Sequence, residues 1–198
     1  NTNFVQPGDA PASFFDLIDP KWTGQLAWNG INLNPVEFVE LIDGDTQAAL
    51  DFASRIIELR PLLESGGSAG VTRSVSAGSA YVGTTTRHSV ELAKMRGEPL
   101  EFGMFTDVIP VSHLYCNIPE GAPHPNAARL FLAWMCTEGH RLLNTFEPFP
   151  RVNQADSDVG GEIAERLNAG AKLLMPRSVA DIEAAADLRT KLSALMNR

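Results

Sequence analysis

The sequence predicts an α/β fold, and three observations lead there. Short apolar runs with strand character alternate with longer segments whose apolar residues recur at helical spacing. Each run leads into the next helix through Gly, Ser, Thr or Asn, residues that open and cap helices. The chain has 198 residues, 44% hydrophobic and 20% charged, enough for one good core or two small lobes.

Taken in order, Asp19-Pro20 reads as a turn and Gly24 as a second bend. Gln25-Leu26-Ala27-Trp28 reads as a short strand, ended by Asn29-Gly30. Asn34-Pro35 is an N-cap with proline at the first helical position, predicting a short helix over 36–42. Asp45 caps a longer helix with Ala49, Phe52, Ala53 and Ile56 on one stripe. Pro61 ends or kinks that helix, and Gly66-Gly67 closes the segment.

Residues 65–78, SGGSAGVTRSVSAG, form a small-residue loop leading into a short helix. AYVGT (80–84) reads as a buried strand, and 85–97 as a helix ended by Gly97. A strand is expected over 99–104 and another within 108–118. Pro123, Pro125 and Asn126 open the most regularly patterned helix. Its Ala127, Leu130, Phe131, Trp134 and Met135 follow the spacing of a buried face. EPFPRVNQ (147–154) is a turn-rich linker, and helices over about 162–174 and 178–196 finish the chain. Ser178 with Asp181 resembles a capping box. The chain carries no internal repeat and no low-complexity tract.

The net charge of −8 argues against a general nucleic-acid binder, which needs clustered Lys and Arg. It argues equally against an anionic membrane surface as the main partner. A small anion held by a few local donors stays compatible with it. No apolar run approaches the roughly 20 residues of a membrane span. The opening NTNFVQPGDAP has neither the basic start nor the apolar centre of a signal peptide, which leaves the compartment open.

Cys116 lies in an apolar stretch and Cys136 on a helix expected to be buried, so both read as small buried hydrophobes. A bridge between them stays open for an exported protein. His88, His113, His124 and His140 show neither an i, i+4 pair nor zinc spacing, so no metal site is expected, and no cofactor motif stands out. Cys136 and His140 would share a helical face, as a thiol enzyme requires, but no third orienting group is marked. The acid pairs Asp16/Asp19 and Asp43/Asp45 are explained by caps and solvated turns.

The polar loops are the better candidates. Thr84, Thr85 and Thr86 follow a strand and open a helix, with Arg87 and His88 beside them. Ser65 to Ser68, with Thr72 and Arg73, form a second such loop, and Asn29-Gly30-Ile31-Asn32 a third. Each alone is explained by capping; three in one α/β unit point to a ligand cleft at the carboxyl ends of the strands.

Three segments carry a family resemblance. PASFFDLIDPKWTGQLAW resembles the P-x-S-(W/F)-x-D-L-x-D-P-K-W-x-G-x-(I/L) segment of periplasmic solute-binding proteins of ABC transporters. The subgroup is the one that holds ferric-iron, thiamine, phosphonate and sugar-phosphate binders. VSAGSAYVGTT resembles the V-x-x-G-E-x-x-V-G-x-T segment, with Ser79 replacing the acid. GAPHPNAARLFLAWMCTEGH is similar to G-A-P-H-P-x-A-A-x-L-F-x-(D/N)-W-x-x-S-x-E-G-Q, with Ala133, Thr137 and His140 departing from it.

The resemblance implies a type II periplasmic-binding-protein-like fold, mainly its second lobe plus the returning part of the first. Residues 1–12 would end an interlobe crossover, 13–104 form lobe 2, 105–149 return to lobe 1, and 150–198 pack back on lobe 2. Most of the first lobe and the signal peptide would be absent from this chain. The isolated chain is then expected to bind ligand poorly. Its bare apolar surface would drive self-association or be covered by the missing lobe.

The implied function is that of a periplasmic receptor, not an enzyme, that captures a small solute and hands it to an inner-membrane permease. Iron-binding members carry adjacent tyrosines after the strand equivalent to 80–84. Here that place reads Thr-Thr-Thr-Arg-His-Ser, which disfavours phenolate ligation of ferric ion. Hydroxyls, helix N-termini, Arg73 and Arg87 suit an oxyanion: a carboxylate, phosphonate or phosphate ester. The expected ligand residues are Asn29, Gly30, Ile31, Ser68, Thr72, Arg73, Thr84, Thr85, Thr86 and Arg87. The alternative is an α/β enzyme using Cys136 and His140, or His88.

Overall fold

The computed structural model describes residues 1–29, 45–111, 116–146, 158–175 and 178–196. The helix expected over 36–42 lies outside them, as do Gly30 and Ile31.

The opening stretch folds as three short 3-10 turns. Ser13 caps the second of these, Phe14–Ile18, accepting from the Phe15 N–H, while Asp16 accepts from the Ser13 N–H at 2.8 Å. Asp19 caps the third, Pro20–Trp22. These turns press Phe14, Leu17, Ile18 and Trp22 into the core. Gly24 then bends the chain with φ +70, where a Cβ would be strained.

Three parallel strands follow: β1 (Leu26–Asn29), β2 (Leu62–Glu64) and β3 (Val82–Gly83), in the order β2-β1-β3. Ala27 is in register with Leu62 on one side and Gly83 on the other. Both faces of β1 are covered, as a parallel sheet requires. Leu26 and Trp28 enter the main cluster with Phe14, Phe52 and Ile56; Ala27 enters a second cluster with Val71, Val75, Val90 and Leu100.

Helix α1 (Thr46–Glu58) is capped by Asp45 and buries Ala49, Phe52, Ala53 and Ile56, the stripe the periodicity predicts. Helix α2 (Gly67–Ser76) follows β2, and α3 (Arg87–Met95) follows β3. Each parallel strand thus leads to a helix that carries the chain back along the sheet.

A second, two-stranded parallel sheet pairs β4 (Val108–Pro110) with β5 (Lys172–Leu174). Asp107 ties it to the opening turn: its carboxylate accepts from the Ser13 hydroxyl at 2.5 Å and from the Phe14 N–H at 3.0 Å. Val108 and Leu174 join the main cluster, as do Leu188 and Leu192 of α7 (Val179–Met196). Phe105 packs edge-on against Phe14. Helix α6 (Asp158–Asn168) places Ile163 against Ile109.

Several element assignments are corrected. Residues 99–104 do not form a strand: Leu100 is buried in the second cluster and Phe102 packs beside it without a pairing partner. Residues 62–64, expected only as the segment after a helix end, are a strand. Residues 172–174, expected to be helical, are β5. Helix α4 (Pro125–Trp134) forms as expected, but none of its residues is buried: Leu130 is 74% and Phe131 57% exposed. A widened turn over Met135–Gly139 separates it from α5 (His140–Phe146), with non-helical backbone at Thr137. Gly139 lies beneath the Trp134 ring, where a Cβ would come within 2.6 Å of it. Cys116 and Cys136 are both free and exposed, not buried as expected.

Candidate functional site

The carboxyl ends of the three parallel strands bring Asn29 and the two loops at 65–68 and 84–86 to one edge. Asn29 ends β1, Glu64 ends β2 in register with it, and Gly83 ends β3. Two helices start at this edge, but their N-termini differ. Thr86 caps α3, its hydroxyl accepting from the Ser89 N–H. Helix α2 begins at Gly66-Gly67 with no side-chain cap. The first N–H groups of a helix have no acceptor within it, so this end offers donors to a ligand.

Three oxygens fasten the start of α2 to the end of β3. The Thr72 hydroxyl lies 2.8 Å and the Thr85 hydroxyl 2.9 Å from the Ser68 carbonyl, and the two hydroxyls are 2.8 Å apart. Each hydroxyl has one proton, so one donates to the carbonyl and the other completes the triangle. Thr72 is buried. Thr72 and Thr85 therefore position the α2 N-terminus; their own hydrogens are engaged.

Arg73 lies on an exposed face of α2, and its side chain runs back toward the helix start, as helical side chains do. Its Nη2 stands 3.5 Å from where a Cβ on Gly66 would be. A guanidinium thus flanks the uncapped helix end. Arg87 does not join it. Its guanidinium pairs with Glu162 of α6 at 2.7 Å and stacks over Phe102 at 5.6 Å. Its place in the structure is to tie α3 to α6.

That pair makes stability pH-dependent. Burial pushes the Glu162 carboxyl up, but hydrogen bonds and charge from Arg87 and Arg166 outweigh this and hold it below its ordinary 4.5. A carboxyl lowered on folding stabilises above its unfolded value, and that contribution is lost as pH falls through the folded one. The groups are partly exposed, so the effect is under about 1 kcal/mol. Urea midpoints measured at about pH 5.5 and about pH 3.5 should differ less in Glu162→Gln than in the parent chain. An unchanged difference would assign the acid loss elsewhere.

Two positions at this edge escaped the sequence reading. Glu64 lies along α2, accepting from the Ser74 hydroxyl beside Gly70. Trp28 carries a buried indole N–H. Only the parallel register brings either residue to the loops. The Cys136–His140 pair loses its geometric basis: the non-helical Thr137 stands between them, so they do not share one regular helical face. His88 occupies the first turn of α3.

No family model and no curated protein sequence matches the chain. Among solved structures, the chain is similar over its whole length to iron-bound HitA from Pseudomonas aeruginosa, with a TM-score of 0.64 and 18% identity. The fold is that of a type II periplasmic binding protein. The chain spans 65% of the length of HitA, about two thirds of the periplasmic-binding-protein fold it matches. The edge formed by Asn29, Ser68 and Thr84–Thr86 belongs to the three-stranded sheet.

Proposed function

We propose that this chain forms one wall of the ligand cleft of a periplasmic solute-binding protein that serves an ABC importer. Its solute is a small oxyanion: a carboxylate, phosphonate or phosphate ester. The observation that carries this reading is the uncapped α2 N-terminus flanked by Arg73 and fastened by Thr72 and Thr85. Unpaired N–H groups, the helix dipole and a guanidinium all favour negative charge.

HitA is iron-bound, but the end of β3 here offers Thr84, Thr85 and Thr86, where the iron-binding members of the family this sequence resembles carry tyrosines. Neutral threonine hydroxyls are poor ligands for a hard ferric ion, whereas N–H donors and arginine suit an oxyanion. The reading assigns residues 13–104 to one lobe and the segment containing α4 to the other. The exposed Leu130, Phe131 and Trp134 support it, since an apolar stripe of this kind packs on a further layer in a two-lobed fold. The permease is the partner that receives the closed form.

The test is calorimetric titration of the chain joined to a complementary first lobe, with phosphate, methylphosphonate, glycerol phosphate, citrate and ferric nitrilotriacetate. One of the anions is expected to bind saturably without turnover. Arg73→Ala should weaken that binding about tenfold, the loss of one charge-assisted contact, while leaving the melting temperature unchanged. Tight ferric binding that survives Arg73→Ala would overturn the reading.

A further inference from the structure

We propose that Trp28 and Thr84 together hold one uncharged hydroxyl oxygen at the carboxyl end of the sheet. The register places them side by side. Leu26 pairs with Val82 and Ala27 with Gly83, and the Thr84 N–H donates to the Ala27 carbonyl at 3.2 Å, extending the ladder by one step. Side chains alternate along a strand. Val82 packs with Leu26 and Trp28 against the main cluster, whereas Gly83 faces Val71 and Val75 of α2. Thr84 therefore shares the Trp28 face, and Thr85 turns back to α2, where it meets Ser68 and Thr72.

This alternation divides the labour of the threonine triplet. Thr86 caps α3 and Thr85 fastens α2, but the Thr84 hydroxyl is buried with no hydrogen-bond partner among the described residues. The Trp28 Nε1–H is in the same condition, in a residue that is 0% exposed. Two orphaned polar atoms on neighbouring register positions are rare in a folded interior, where such groups find partners.

The chemistry selects the ligand class. An indole N–H only donates; a threonine hydroxyl donates or accepts. A hydroxyl oxygen satisfies both, accepting from Trp28 and exchanging a proton-donor role with Thr84. The surrounding cluster of Phe14, Leu26, Phe52 and Ile56 supplies no counter-ion, so a charged group is disfavoured there. The oxygen belongs either to a buried water or to a hydroxyl of the solute. The second source rests on the solute-binding reading; the first does not.

The test follows the Trp28 indole N–H resonance in the isotope-labelled full chain, assigned by through-bond connectivity, with Trp22 and Trp134 as internal references. Thr84→Val should shift this resonance selectively and lower the melting temperature, and Thr84→Ser should preserve both. Cross-relaxation to water that glycerol leaves untouched assigns the oxygen to water. A saturable shift with glycerol, lost in Thr84→Val, assigns it to a solute hydroxyl. The proposal fails if neither is seen, or if phosphate moves the resonance and glycerol does not. It also fails if Thr84→Val raises the melting temperature by removing an unpaired hydroxyl. None of these outcomes depends on the anion titration, so the two readings fail separately.

Discussion

Phe14→Ala is expected to destabilise the fold by about 3–5 kcal/mol, the range for truncating a buried aromatic. Phe14 is 1% exposed. Its ring stacks on Phe52 of α1 at 5.0 Å and meets Phe105 edge-on at 5.5 Å. The same residue donates its N–H to Asp107, at the entry to β4. One side chain therefore joins the opening turn, the α1 face and the second sheet. A domain of this size has only about 5–15 kcal/mol of stability, so the loss is a large share of the total. Urea unfolding should show a lower midpoint with an unchanged slope. Phe15→Ala is the control. Phe15 sits at the rim, 36% exposed, though it also meets Phe52 edge-on, so it should cost less than half as much. Equal losses from the two variants would mean that burial does not organise this cluster.

Gly83→Ala is expected to cost about 1–3 kcal/mol and to loosen the site as well. A Cβ at this position would stand 2.7 Å from a Val71 methyl, 2.8 Å from a Val75 methyl and 3.2 Å from the Ala27 carbonyl. The carbonyl belongs to the sheet and cannot move freely. Helix α2 has to back away instead, and α2 carries Ser68, Thr72 and Arg73. The Ser68–Thr72–Thr85 triangle would open with it, so oxyanion affinity should fall together with stability. Val71→Ala removes one of the two opposing methyls. Combined with Gly83→Ala it should recover part of the loss, giving non-additivity of at least about 0.5 kcal/mol. Strict additivity would show that the helix does not rest on this glycine.

How much of this was readable beforehand differs between elements, for physical reasons. Helix α1 was legible from its cap to its buried stripe, because Asp45, Ala49, Phe52, Ala53 and Ile56 express a local 3.6-residue period. The short β2 and β5 were not. Three residues are too few to show a period of two, and Leu62 and Leu63 are both exposed. Their pairing partners lie far along the chain, in β1 and β4. Over 99–104 the opposite happened: apolar residues suited to a strand are satisfied by packing, Leu100 under α3 and Phe102 under Arg87, with no ladder to join. At the site, the three polar loops were identifiable from composition. The separate tasks of Thr84, Thr85 and Thr86 were not, since adjacent positions on one strand look alike until a face is assigned. Arg87, counted among the ligand donors by its neighbours, is drawn to Glu162, a residue 75 positions away.

By itself, the order of amino acids determined the α/β class, the capped helices, the placement of hydroxyl-rich loops after strands, and a resemblance whose implied fold, that of a type II periplasmic binding protein, is the fold observed. Local periodicity and capping chemistry suffice for these. Tertiary structure alone decided which strands pair, which arginine remains beside the uncapped helix end, and that the apolar stripe of α4 faces outward. Those outcomes depend on contacts between distant segments, whose free energy exists only once the chain has brought them together.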